Sequence, residues 1–133
     1  MKQEDKDLLS KDLCARLPYG VKVKLGDNPN IFDLEYRIKF AVMYGDSDKL
    51  EDILDITNIK PYLFSFSSMT EEQKKEYRKI CELDTEILSK YPMDGSPFPA
   101  LYNSQDWLNK NHFDYRGLIP LGLAIDATEL NIY

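Results

Sequence analysis

Among the 133 residues there is a single histidine, His112, with Asp114 two positions on and Tyr115 and Arg116 directly after it. A neutral imidazole is suited to moving protons near pH 7. A serine nucleophile would need its own positioning motif and an orienting third group, and no GxSxG stretch is present. The competing reading of His112 places it at the end of a short helix, where its charged form would meet the last carbonyls. The segment His112 to Gly117 is nonetheless the place to look for function, because binding groups collect on irregular segments held by a rigid scaffold. His112, Asp114, Tyr115 and Arg116 form a polar–aromatic mix of the kind that dominates interface energies, and they are the candidate binding residues. The alternative is that they fasten the last strand to the sheet, with Arg116 paired to an acid and Tyr115 packed inside.

Other constellations fail on their spacing. Asp46, Asp48, Glu51, Asp52 and Asp55 make an acidic run, but a calcium loop started at Asp46 finds Leu50 and Glu51 where a ligand and glycine belong. That run reads as a solvated face. One His and two distant Cys make no tetrahedral zinc set. Gly117 and Gly122 are spaced as in a phosphate loop, yet Leu123 stands where the lysine should be, and no cofactor is expected. Tyr62, Phe64 and Phe66 could stack bases, but no basic residues lie among them, so they read as core.

Composition bounds the rest. A chain of 15.5 kDa has the commonest size for one domain, so residues 1–133 are read as a single unit able to build a core without staples. Against 23 acids stand 17 bases, a net charge of −6. Lys74, Lys75, Arg78 and Lys79 alternate with Glu71, Glu72, Glu76 and Glu82, so no basic face forms, and binding to nucleic acid is disfavoured. Cys14 and Cys81 have no CxxC or Cys/His neighbours and read as small buried hydrophobes in a reducing compartment. The start, Met1 to Lys6, lacks the apolar core of a signal peptide. The most apolar window, Leu118 to Ile125, is too short to span a bilayer. A cytoplasmic protein without membrane contact is expected.

These residues must be positioned by recognisable elements. Leu8, Leu9, Leu13 and Leu17 recur at helical spacing over Glu4–Leu17, and Pro18 and Gly20 end that helix. Val21, Val23 and Leu25 alternate with lysines in a strand. After the turn residues Gly26 to Asn30 comes a second alternation, with Phe32, Leu34, Tyr36, Ile38, Phe40 and Val42 on one face. It predicts the other arm of a hairpin, with a bulge or break near Ala41. Leu50, Ile53 and Leu54 fit a helix, whereas Leu54 and Ile56 fit a strand. Pro61 to Phe66 suits a short strand with its proline at the first position or on an edge. Thr70 and Gln73 predict a capping box, with Tyr77, Ile80 and Cys81 as the buried stripe. Asp84 would fall within that stripe, so the helix is expected to break near Leu83 and resume from Thr85 to Lys90. Tyr91 to Pro99 reads as a loop. Ser104 caps a short helix that buries Trp107, and Leu118 to Asp126 forms a buried turn entering a last strand. With no βαβ rhythm, the fold class is α+β: a small, mainly antiparallel sheet, an N-terminal helix, and one or two helices in the C-terminal half.

Four stretches carry a resemblance. They are Lys11 to Val21, Ile59 to Leu63, Ser67-Ser68-Met69-Thr70-Glu71-Glu72-Gln73, and Asp106-Trp107-Leu108-Asn109-Lys110-Asn111-His112-Phe113-Asp114-Tyr115-Arg116-Gly117-Leu118-Ile119. On these the chain resembles a family of short uncharacterised proteins from gut-dwelling bacteria, often encoded near prophage or other mobile elements. The resemblance carries over no functional residue and implies a role between element and host. A non-catalytic module that binds another protein is the function expected. A small enzyme or ligand binder with a pocket beside His112 is the alternative. An acidic decoy imitating nucleic acid ranks third, because −6 is a modest charge for that task.

Overall fold

The computed structural model describes residues 1–43, 56–90 and 103–133. The acidic run from Asp46 to Asp55, with its helix and strand readings, and the loop 91–99 lie outside the described residues. Helix α1, Gln3–Arg16, brings Leu9 and Leu13 onto one face, and a tight turn at Leu17–Tyr19 follows it. Gly20 closes that turn at φ 73°, a left-handed conformation that a side chain resists. The chain then enters strand β1, Lys22–Leu25, with Val23 fully buried.

Strand β2 is only Phe32–Asp33, antiparallel to β1 with Lys22 opposite Asp33. From Leu34 to Met43 the chain is helical (α2), where the alternating apolar residues predicted a strand. The reason lies in residues 33–39. The Asp33 carboxylate accepts the Tyr36 amide at 3.0 Å as an N-cap, and Lys39 pairs with Glu35 one turn away at 3.0 Å. Every second residue being apolar also makes every fourth apolar. Leu34 and Ile38 therefore meet the core, while Tyr36 and Val42 are left exposed.

Strand β3, Ile59–Leu63, pairs antiparallel with β1, and its last two residues pair parallel with β4, Ile125–Asp126. The sheet order is β2-β1-β3-β4, two antiparallel junctions and one parallel. The fold is α+β, with its sheet mainly antiparallel. Pro61 is the third residue of β3 rather than its first. Only β1 pairs alongside it, because β4 begins opposite Tyr62, so the missing N–H breaks no ladder bond on the β4 side.

Helix α3, Glu71–Lys90, runs unbroken past Asp84. Its start is the expected capping box: Gln73 Oε1 accepts the Thr70 amide at 2.9 Å, and Thr70 Oγ1 accepts the Gln73 amide at 3.2 Å. The helix does not break because Asp84 faces the start of helix α4, Asn103–Lys110, where the Ser104 amide donates to its Oδ2 at 3.1 Å. Ser104 is thus inside the first turn of α4 rather than its cap.

Two apolar clusters result. One joins α1, the sheet, Leu118 and Leu123. The other is aromatic, with Met69, Trp107, Leu108 and Phe113 at its centre and Phe64 and Tyr77 against it. Both cysteines are free thiols, but Cys14 is exposed and Cys81 only half-buried, since each sits at the edge of its helix's apolar stripe.

Candidate functional site

Residues 112–117 leave the end of α4, and Phe113 runs parallel to Phe64 just beyond β3. His112 stops the helix at φ 62°, and its amide donates to the Asn109 carbonyl at 3.2 Å. Phe64 and residues 112–114 then exchange backbone bonds, with the Phe64 amide on the His112 carbonyl at 2.8 Å and the Asp114 amide on the Phe64 carbonyl at 2.9 Å. The segment is thereby stitched to the extension of β3.

The structure sets Tyr115 against Arg116 but turns His112 and Asp114 to other partners, and each of the four is engaged by the fold. Asp114 accepts the Leu118 and Ile119 amides, one on each carboxylate oxygen, at 2.9 Å each. Tyr115 donates its hydroxyl to Asn109 at 2.9 Å, and the Arg16 and Arg116 guanidinium groups lie 5.3 and 4.5 Å from its ring centroid. Arg116 pairs with Asp12 at 2.8 Å. The other Asp12 oxygen holds Arg16 at 2.8 Å, and both side chains are fully buried. Arg16 also donates to the Phe113 carbonyl at 2.5 Å. Asp12 and Arg16 are the members of this network that sequence reasoning passed over. The signal was available, an Asp followed by an Arg one turn later on the face that carries Leu9 and Leu13.

His112 is 8 % exposed and stacks on Tyr133, with ring centroids 3.6 Å apart. Tyr133 in turn accepts the Lys22 amide at 2.9 Å and donates to the Tyr62 carbonyl at 2.7 Å. Burial first, and then the Arg16 and Lys22 charges, lowers the His112 pKa to about 4. The imidazole is therefore neutral at pH 7, unlike the charged helix-end histidine of the structural reading. Its Nδ1 is buried and has no hydrogen-bond partner among the described residues. A base of such low pKa, with one ring face covered, is poorly matched to proton abstraction at neutral pH.

A second set of residues lines a groove at the surface. Phe66, Met69, Lys74, Tyr77, Arg78 and Cys81 line a groove of about 380 Å³ along the first half of α3. Met69 is its buried floor, and Phe66, 41 % exposed, is its outer wall. Phe66 meets the Tyr77 ring edge-on at 5.8 Å, and Tyr77 packs on Trp107 at 5.5 Å, so the groove rests on the aromatic cluster. Sequence reasoning placed Phe66, Tyr77 and Cys81 in the core. The capping box had already fixed the helical phase, and that phase sets Tyr77 and Cys81 beside Lys74 and Arg78 on one face.

The chain matches no family model, no curated protein and no solved structure. Among the described residues, no group of three or more His, Cys, Asp or Glu side chains could hold a metal ion, and no helix is long and apolar enough to cross a membrane.

Proposed function

We propose that this chain is a non-catalytic protein-interaction module, acting in the cytoplasm, whose docking face is the aromatic groove along α3. The observation that carries this reading is a contrast in how the two candidate regions use their polar groups. In residues 112–117 the Asp114, Tyr115 and Arg116 groups are bonded within the fold. In the groove, Phe66 is held against Tyr77 and Phe113 yet is 41 % exposed, and Lys74 and Arg78 beside it are exposed. Rigid aromatic surface with a flanking Arg is the composition that concentrates binding energy at interfaces. The two free thiols agree with a reducing compartment. The resemblance to proteins encoded near mobile elements points to a partner drawn from the element or its host. The alternative, a pocket beside His112, is weakened by Tyr133, which covers the ring.

Affinity capture from the native host, read by mass spectrometry, tests this with three baits. Wild type and Arg116→Lys should retain the same partner, whereas Phe66→Ser should lose it while melting within a few degrees of wild type. A partner held equally by all three baits would move the docking face elsewhere. One lost only with Arg116→Lys would return it to residues 112–117.

A further inference from the structure

We infer that the groove along α3 takes an acidic peptide segment carrying a large apolar anchor, a specificity that rests on reading the groove as the docking face. Its chemistry is asymmetric. Of six lining residues two are cations and none is acidic, in a protein whose net charge is −6. At 3.6 residues per turn, Lys74, Tyr77, Arg78 and Cys81 share an arc of roughly 100° of the α3 surface. Glu71 and Glu82 fall just beyond it on the solvent side, the buried Asp84 just beyond Tyr77 on the other, and Glu72 and Glu76 on the far side.

Neither cation is held in a buried pair. Lys74 reaches Glu71 at 3.3 Å, but those side chains are 47 % and 84 % exposed, a pairing a better-placed carboxylate can replace. Arg78 makes no ion pair among the described residues. The hydroxyl of Tyr77 adds no negative charge, because burial first, and the Cys81 thiol beside it, push its pKa up to about 12. At physiological salt, charges more than about 8 Å away are largely screened, so of the chain's acids only those beside the groove, Glu71, Glu82 and the buried Asp84, compete with an incoming segment for Lys74 and Arg78.

Geometry narrows the segment further. Lys74 and Arg78 are about 6 Å apart along the helix axis. Carboxylates one turn apart on a docked helix match that separation, as do carboxylates two residues apart on an extended strand, at roughly 6.6 Å. Between the cations and the Phe66 wall the Met69 floor is apolar, which calls for a Leu, Met or Phe beside the acidic pair. The rings that receive it are already fixed by Phe113, Tyr77 and Trp107, so little side-chain entropy is lost on binding.

Peptides selected from a random twelve-residue display library on the wild-type protein, then synthesised with a fluorophore and titrated by anisotropy, test both layers. The selected peptides should pair a large apolar residue with two carboxylates. Their affinity should fall at least tenfold for Lys74→Glu/Arg78→Glu, fall again for Phe66→Ser, and weaken with added salt. Thermal melts confirm that each variant is folded. Peptides that Phe66→Ser abolishes, but that are neutral or basic and indifferent to the charge reversal, would overturn the acidic specificity and leave the docking face standing. If no selected peptide responds to Phe66→Ser, the docking face falls too. Concentration-dependent dimers that the charge reversal dissolves would show instead that the groove receives a second copy of this chain.

Discussion

His112, the chain's single histidine, ends α4 with 8 % of its surface exposed. Its type promises proton chemistry, but its environment removes the charge: it is buried, stacked on Tyr133 and near Arg16 and Lys22. The unfolded imidazole titrates near 6.5 and the folded one near 4, so the unfolded chain binds the extra proton between those values. Stability is therefore full above pH 6.5 and is lost as pH falls toward 4, by at most about 3 kcal/mol. The upper part of that window, pH 6.5 to 5, lies above the ordinary carboxylate range, which isolates the histidine. Urea melts across it should show falling stability in the wild type and a flat profile in His112→Asn, since Asn tolerates the left-handed backbone. An unchanged slope in the variant would assign the titration to another group. Burial of this kind is set by Tyr133, 21 positions away in sequence, and no local pattern around His112 announces it.

Elements were legible where local signals and tertiary demands agreed. α1, β1 and the Thr70 capping box followed from spacing and caps, and Trp107 is buried as expected although Ser104 does not cap its helix. Residues 34–43 did not, because an alternation of apolar residues satisfies a strand and, every fourth position, a helix. The Asp33 cap and the Glu35–Lys39 pair were the deciding signals, and they favour the helix. Asp84 misled for a different reason. A buried acid in a helical stripe implies a break unless another element brings it a donor, and that donor comes from α4, 20 residues later. This makes Asp84 the cap of a helix to which it does not belong. Asp84→Ala should cost about 1–2 kcal/mol, the range for a lost N-cap, in a denaturant melt. Hydrogen exchange should quicken at the Ser104 amide while the first turn of α3 is unchanged. Uniform quickening along both helices would mean a general loss of packing instead of a lost cap.

At the scale of the whole molecule, buried charges link the two clusters. α1 contributes Leu9 and Leu13 to the first cluster, yet its Arg16 reaches the Leu108 and Phe113 carbonyls of the aromatic one. Asp12 holds Arg16 on one oxygen and Arg116 on the other, so one carboxylate joins the first helix to the last irregular segment. Removing a partner from a buried pair costs more than the pair is worth, because the remaining charge stays desolvated. Asp12→Ala should therefore lose about 3–5 kcal/mol. The double variant Asp12→Leu/Arg16→Met, which leaves no buried charge on α1, should recover a large part of that loss. Trp107 fluorescence reports the aromatic cluster, and far-UV circular dichroism reports the helices throughout. In the wild type the two thermal transitions should coincide, as they do for a single cooperative unit. In Asp12→Ala they should separate, with the Trp107 signal moving on its own. An Asp12→Ala protein within about 0.5 kcal/mol of wild type, with superimposed transitions, would place the coupling in the shared backbone of Leu63 and Phe64 and take it away from the buried charges.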